Sequence, residues 1–357
     1  MKPIRKVYFY FTGAKNRLVK RSRSAHTHEN LIIQFAGLGD ACLLISVCRE
    51  LEATRRLFDI LCMPELVPLW QFFFPGRTVA SLDSRDWYPG HIRSALQPLD
   101  KSYHSVYVSS LHPYAAYIAS FFRARFRIGM IENRPYKGSR WILNRLHRVR
   151  PDEHVISRYR GLLELPRQPV ENSGRLPAGS LNLRDTILIH PGGKWKPRRW
   201  PASRYMELVR VLVSGKFRVR VLIHESETDL LDLFTPHTSA LFQIAKTVTV
   251  RDLIHEIEGC NLFIGNDSGP VHLASLMKKP AVCIWGPGHY ERIHPVGPHT
   301  VTLISPLPCR PCRQYTPDCP EGTQACLEAI TVERVVETIG GMIQKDSRNK
   351  NQETRKK

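Results

Sequence analysis

The chain has 357 residues, 42% of them hydrophobic and 24% charged, which supplies a large core and excludes a disordered or fibrous protein. Its 52 Lys and Arg against 32 Asp and Glu leave a net charge of +20, and this points to a polyanionic partner: nucleic acid, an anionic membrane surface or a phosphorylated substrate. At roughly 100–200 residues per domain the length suggests two domains, and nothing recurs at the fixed period of a solenoid.

Residues 1–30 form a basic arm with eight Lys or Arg against one Glu. A matching tail, residues 345–357, has six against two acids, so about half of the excess charge sits in arms that are either solvated or used for surface targeting. The aromatic stretch Val7 to Phe11 leads into more charge rather than a small-residue cleavage site, so a protein that is not secreted is expected. Leu31 to Ala36 has the apolar run of a buried strand, Gly37-Leu-Gly-Asp40 that of a tight turn, and Ala41 to Arg55 that of a helix. The same glycines interrupt the longest apolar run, Leu31 to Val47, which falls short of the roughly 18–20 residues of a membrane-spanning helix. Strands follow at Phe58 to Cys62 and Ser105 to Ser109, the second leading into a helix over Tyr114 to Phe122. Two stretches set aromatics beside cations, Trp70 to Phe74 and Phe121 to Arg127; core packing is their default, and a lipid headgroup layer the alternative.

Pro, Gly and polar residues crowd the segment 169–183, the best linker. Beyond it the alternation of strand and helix resumes. Strands are expected at Thr186 to His190, Val219 to Ile223, Asn261 to Ile264 and Ala281 to Trp285. Helices are expected at Ser203 to Val213 with Ser203 as N-cap, Asp229 to Phe234, Val250 to Glu258 and Pro270 to Met277. Strands alternating with helices give an α/β fold of two doubly wound halves, 31–168 and 184–344, with a ligand-binding cleft at the carboxyl ends of their strands.

Three segments carry chemistry. The first turn matches a dinucleotide fingerprint at Gly37 and Gly39, but Cys42 stands where the third glycine belongs, so the match is weak. It also places Asp40 at a helix start, as a capping residue or as a carboxylate facing the cleft. The segment His190 to Pro201 follows a strand and combines two glycines with Lys194, Lys196, Arg198 and Arg199, a suitable set for neutralising phosphate. In Gly265-Asn-Asp-Ser-Gly-Pro-Val-His-Leu-Ala274, Asp267 or Ser268 can cap a helix, Pro270 fits its first turn, and Gly269 lets an anion reach the free N–H groups; His272 lies on the same turn.

Together Gly-Leu-Gly-Asp40, Arg-Arg-Trp-Pro201, Gly-Asn-Asp-Ser-Gly-Pro-Val-His-Leu-Ala274, the following Trp-Gly-Pro287 and the Arg-Ile-Gly129 element make the chain resemble family 9 glycosyltransferases, the lipopolysaccharide heptosyltransferases and their relatives. The likeness runs from about residue 30 to 340, in order and spacing. It implies a GT-B architecture of two Rossmann-like domains around a cleft, with the acceptor-side domain at 31–168 and the nucleotide-sugar domain at 184–344. It implies inverting transfer of a sugar, heptose from an ADP-sugar by analogy, onto a lipopolysaccharide core or related bacterial surface glycan. Asp40 then inherits the role of catalytic base in the acceptor-side turn Gly37 to Asp40. Lys194, Arg198 or its neighbour Arg199, Asp267, Ser268, Gly269 and His272 inherit the donor site, and Glu227, or Glu225, stands for the Glu that contacts the nucleoside in relatives. An ordinary carboxyl pKa of about 3.9 would leave Asp40 ionised at neutral pH. Cations and a helix N-terminus would meet the charge of the leaving diphosphate, so no catalytic cofactor is expected. The expected partners are the donor and an anionic glycolipid or glycan, at a cytoplasmic location on the inner membrane face, with no nucleic acid.

Nine cysteines suit a reducing compartment with core thiols or a metal site. Cys309, Cys312, Cys319 and Cys326 match the number of ligands of a structural zinc or iron site, with disulfides and unliganded thiols as the other readings. Competing functions are a GT-B enzyme of other specificity, a nucleotide-sugar epimerase, and a nucleic-acid-binding protein; against the last, the sequence has no aromatic RNA-binding motif.

Overall fold

The computed structural model describes residues 29–83, 89–132, 139–170, 186–312, 319 and 324–340. The expected basic arms and linker lie almost wholly outside these residues. The chain divides into two compact units, Met1–Val170 and Glu171–Lys357.

In the first unit the elements run β1 (Asn30–Gln34), α1 (Leu38–Ala53), β2 (Phe58–Cys62), α2 (Val67–Phe73), β3 (Val79–Ser81), α3 (Pro89–Ala95), β4 (Ser102–Val108), α4 (Pro113–Ala119), β5 (Arg123–Ile131), α5 (Ser139–Ile142), β6 (Arg145–Arg148) and α6 (Val155–Leu162). All strands pair in parallel in the order β3-β2-β1-β4-β5-β6. Leu31, Ile32 and Ile33 are each fully buried, as a central strand covered on both faces requires.

The second unit runs β7 (Thr186–His190), α7 (Ala202–Ser214), β8 (Arg218–His224), α8 (Thr228–Phe234), β9 (Phe242–Thr247), α9 (Val250–Glu258), β10 (Leu262–Asn266), α10 (Gly269–Leu276), β11 (Ala281–Trp285), α11 (Tyr290–Ile293), β12 (Thr300–Ile304), α12 (Ala325–Glu328) and a last helix, α13, over 332–340. Its sheet is again parallel, in the order β12-β11-β10-β7-β8-β9. Counted from its own first strand, this order is the same as in the first unit. Both are Rossmann-like, the pair of units that defines the GT-B fold class. In each, the order reverses between the first and fourth strands, and a doubly wound sheet binds ligands outside the carboxyl ends at that reversal. These points lie between β1 and β4, and between β7 and β10.

Several expectations are corrected by the backbone. Gly37-Leu-Gly-Asp40 is not a separate turn: Gly37 is the N-cap, extended at φ −70°, and the helix begins at Leu38. A glycine inside a helix costs about 1 kcal/mol relative to alanine, and the buried face Ala41 to Ile45 offsets this. Pro201, rather than Ser203, is the N-cap of α7. β10 extends to Asn266, which carries that side chain to the sheet end. The aromatics set beside cations are largely core, since Trp70, Phe74 and Phe122 are buried, although Phe72 is exposed. Arg127 of the Arg-Ile-Gly element is likewise buried; it donates to the carbonyls of Ala119 and Phe122 and so ties off the end of α4.

Candidate functional site

The residues expected to hold a diphosphate converge at the strand reversal of the second unit. Asn266, 1% exposed at the end of β10, organises the place. Its Nδ2 donates to the carbonyls of Pro191 (2.9 Å) and Gly192 (3.0 Å), while its Oδ1 accepts from the Trp200 backbone N–H (2.9 Å) and the Tyr205 hydroxyl (2.8 Å). One amide thereby fixes the loop after β7 and the start of α7 against β10. Replacing it by alanine strands two buried donors and two buried acceptors. Asn266→Ala is expected to cost about 2–4 kcal/mol, a drop in melting temperature of roughly 5–10 °C by calorimetry.

The glycine loop is shaped by Glu227. Its Oε1 accepts from the Gly193 N–H (2.9 Å) and from Arg199 (2.9 Å), and its Oε2 accepts from the His224 N–H (3.2 Å). A Cβ on Gly192 would overlap this carboxylate, and Gly193 adopts φ +149°, which favours glycine. Arg199 also donates to the Gly193 carbonyl at 2.8 Å. His190, at the end of β7, is held below the usual imidazole range by burial, with Arg199 acting in the same direction, so it stays neutral.

Arg198 takes a different partner from Arg199, and this separates two neighbours that the sequence leaves equivalent. Its guanidinium lies 3.3 Å from Asp267 Oδ1, next to Ser268, the N-cap of α10. Asp267 is 2% exposed; burial pushes its pKa up to about 6 against the opposing pull of Arg198. Asp267 Oδ2 and Arg198 Nε are both buried without a hydrogen-bond partner among the described residues. A Cβ on Gly288 would overlap the Asp267 carboxylate and approach the Trp285 ring to 3.0 Å, so the facing loop passes unusually close. Gly269 and Pro270 open α10, and Ser268 leaves its capping role to the backbone, for its side chain makes no cap hydrogen bond. His272 is buried one turn on, and Lys194 is exposed on the loop after β7. This is a partly neutralised ion pair with unsatisfied polar atoms at a helix N-terminus, a setting that receives anions and hydroxyls.

In the first unit Asp40 lies in the first turn of α1 and is half-buried, beside Gly37 and Gly39 at the reversal between β1 and β4. The Ser109 hydroxyl, just past β4, donates to the Ile33 carbonyl (3.0 Å) and closes that end of the sheet. The helix dipole favours the ionised carboxylate there.

Of the four cysteines read as a metal set, Cys326 is buried and Cys309 exposed, with Cys312 and Cys319 between. The Cys326 thiol is pushed up to about 11, mainly by burial and then by the other three thiols. Among the described residues no group of three or more His, Cys, Asp or Glu is placed to hold a metal. Among the described residues no helix is long and apolar enough to cross a membrane.

Comparison with known proteins adds independent information. The model of glycosyltransferase family 9 (heptosyltransferase) matches residues 92–321, more than half of the chain. A curated relative, lipooligosaccharide heptosyltransferase 2 of Campylobacter jejuni, is 26% identical over 167 residues, 44% of this chain and 51% of its own length. The chain thus spans about half the length of the curated relatives it matches. Among solved structures, E. coli ADP-heptose lps heptosyltransferase II superposes with a TM-score of 0.71 at 18% identity, over 89% of this chain and 99% of that one. E. coli heptosyltransferase WaaC with ADP follows at 0.68 and 16%, over 88% and 99%. At these identities the structural likeness is one of fold.

Proposed function

Because the chain belongs to glycosyltransferase family 9, we propose that it transfers heptose from an ADP-sugar to a lipopolysaccharide-type core acceptor, with inversion at the anomeric carbon. The observation that carries this reading is the Arg198–Asp267 pair at the head of α10, with its unsatisfied buried atoms, at the strand reversal of the second unit. A nucleoside diphosphate supplies what the pair lacks: phosphate oxygens for Arg198 and the helix N–H groups, and sugar hydroxyls for Asp267. The choice of ADP rests on relatives whose names carry ADP or ADP-heptose.

In the proposed step an acceptor hydroxyl oxygen attacks the anomeric carbon as the bond from that carbon to the diphosphate oxygen breaks. The proton passes to the Asp40 carboxylate, and the electron pair leaves with the diphosphate. Charge grows on the leaving group, so Arg198, Lys194 and the α10 N-terminus contribute more in the transition state than in the ground state. No part of the proposed step is routed through a metal. Glu227, with both oxygens already engaged, acts in this reading by shaping the glycine loop.

A thermal-shift series with ADP, UDP, GDP and a random-sequence oligonucleotide tests the donor site. ADP is expected to raise the melting temperature most; stabilisation by the oligonucleotide alone would overturn the enzyme reading.

We also propose peripheral attachment to an anionic membrane through α5 and the edge strand β6. There Arg140, Arg145 and Arg148 are exposed within a few residues of Trp141, the most exposed large hydrophobic residue described, at 57%, with Arg145 paired to Glu164 at 3.1 Å. A basic cluster with an exposed tryptophan suits a headgroup layer, at about 1 kcal/mol per cation near the surface. Co-sedimentation with phosphatidylglycerol vesicles, but not phosphatidylcholine vesicles, is expected, and equal recovery with both would contradict it.

A further inference from the structure

The carboxylate of the proposed donor site lies under a cover of bare backbone. β11 ends in Trp285, and the chain then runs through Gly286, Pro287 and Gly288, all buried, before α11 begins at Tyr290. Each carbonyl of this short loop is held. The fully buried Trp285 indole donates through Nε1 to the Gly288 carbonyl at 3.0 Å. The Cys312 N–H donates to the Pro287 carbonyl (3.0 Å), and Arg310 Nη1 reaches the Gly286 carbonyl at 3.4 Å. Tyr290 stands edge-on to the Trp285 ring, with centroids 5.6 Å apart at 90°, and His294 stacks on Tyr290 at 4.7 Å.

The loop rests on Asp267. A Cβ on Gly288 would overlap Asp267 Oδ2, so a side chain at 288 requires the loop to lift. Oδ1 of the same carboxylate faces Arg198 at 3.3 Å, which leaves the group held between a guanidinium and a stretch of backbone. Oδ2 is buried there without a hydrogen-bond partner among the described residues, a costly state that a ligand hydroxyl relieves.

We propose that Trp285 is a positioning residue for the donor site: its N–H seats the Gly288 backbone on Asp267 and keeps water from Oδ2 until a hydroxyl of the donor sugar takes that place. This rests on the reading of Asp267 as the residue that meets the sugar. The groups that bear on the carboxylate come from several elements. Burial raises it to about 6 and Arg198, from the turn before α7, opposes the rise. Cys283 of β11 pairs in register with Gly265, and burial keeps its thiol protonated. His289, next to Gly288, is held below the usual imidazole range by burial and then by Arg292, and His294 is lowered by burial too. His272 lies buried on α10. Much of the burial at Oδ2 is the loop itself, so lifting the loop lowers the carboxyl.

The test is Trp285→Phe, which keeps a ring against Tyr290 and removes the N–H. The loop then lifts, water reaches Asp267, and its carboxyl falls toward the ordinary value of about 3.9. A carboxyl raised in the fold favours the folded protein at pH 5 over pH 8. The difference in melting temperature between those pH values is therefore expected to be about 3 °C smaller in the variant. In transfer from ADP-heptose to lipopolysaccharide of an E. coli strain lacking its heptosyltransferase 2, KM for the donor is expected to rise about tenfold, with kcat within about threefold. A sugar hydroxyl held alike in the ground and transition states acts on KM alone. The Kd for ADP, which lacks the heptose, is expected to stay within about twofold.

A purely structural tryptophan would lower the melting temperature equally at both pH values and leave the KM for ADP-heptose unchanged. Gly288→Ala lifts the loop from its other face and is expected to reproduce the pattern; it replaces Trp285→Phe should that variant melt below the assay temperature. A wild-type KM and an unchanged pH difference in both variants, with Asp267→Asn raising KM, would overturn the role of Trp285 and leave Asp267 at the sugar. A wild-type KM in Asp267→Asn would overturn the reading beneath the proposal and remove the sugar as occupant. The melting comparison needs no ligand and judges the cover by itself.

Discussion

Asp40→Ala is expected to lower kcat for transfer by about 10³-fold, the range for removal of a general base, while ADP affinity measured by calorimetry stays within about twofold. The two halves of that expectation come from different parts of the chain. Asp40 opens α1 in the first unit, whereas the residues proposed to hold the diphosphate, Arg198 and Asp267 to Gly269, belong to the second. A variant with wild-type kcat would remove Asp40 from the chemistry. One that lost ADP binding together with activity would assign the residue to the donor site instead.

Arg198→Ala has the second largest expected effect, a kcat lower by about 10²–10³-fold, the cost of deleting one charge-stabilising donor at a developing anion, together with weaker ADP binding. A pH signature accompanies it. Burial already raises Asp267 to about 6 and the charge of Arg198 opposes the rise, so its removal pushes the carboxyl higher still. A carboxyl whose folded pKa exceeds its unfolded value binds its proton more tightly in the folded protein. It therefore destabilises the fold above the folded pKa, and that penalty is relieved as pH falls toward about 4. In the wild type the shift of roughly two pH units corresponds to about 3 kcal/mol across that window. In the variant the window extends above pH 6, so the difference in melting temperature between pH 5 and pH 8 is expected to be larger than in the wild type. Identical pH dependence in the two proteins would mean that Arg198 does not govern Asp267. Lysine at this position would keep the charge but not the planar fork, and only partial recovery of rate is expected from Arg198→Lys.

Much of the architecture was legible in the sequence because it is written in short apolar runs punctuated by glycine. The central strands β1, β7, β10 and β11 are such runs, buried throughout except for Thr186 of β7, and each is followed by glycine and then a helix. Edge elements were less legible. β6 is Arg-Leu-His-Arg, a polar edge strand whose pairing only the sheet reveals, and β9 alternates buried with exposed positions and has no glycine signal. The helix start at Asp40 was misplaced by three residues because glycine marks both turns and N-caps, and only the φ and ψ of Gly37 decide between them.

The candidate sites divide in the same way. The residues of the Asn-Asp-Ser-Gly segment are contiguous, so the sequence showed them together with the helix that follows. Asn266 belonged to that segment yet drew no role, although a polar side chain closing the apolar run Leu262 to Gly265 was the available signal of a buried, fully hydrogen-bonded amide. Arg198 and Arg199 are adjacent in sequence but divide between Asp267 and Glu227, a choice set by side-chain direction after the short helical turn Lys196–Arg198.

The positive balance of the sequence also acquires a more specific meaning. Part of it lies in arms outside the described residues, part at the loop after β7 where Arg198 and Arg199 are tied into ion pairs, and part around Trp141.

The most direct test of the account is the product of a single reaction: ADP-heptose incubated with the purified protein and lipopolysaccharide from an E. coli strain lacking its heptosyltransferase 2. The account predicts an acceptor heavier by one heptose, released ADP in equal amount, and an anomeric linkage opposite in configuration to that of the donor. A product with retained configuration, or no transfer to this acceptor while ADP-heptose binds, would contradict it.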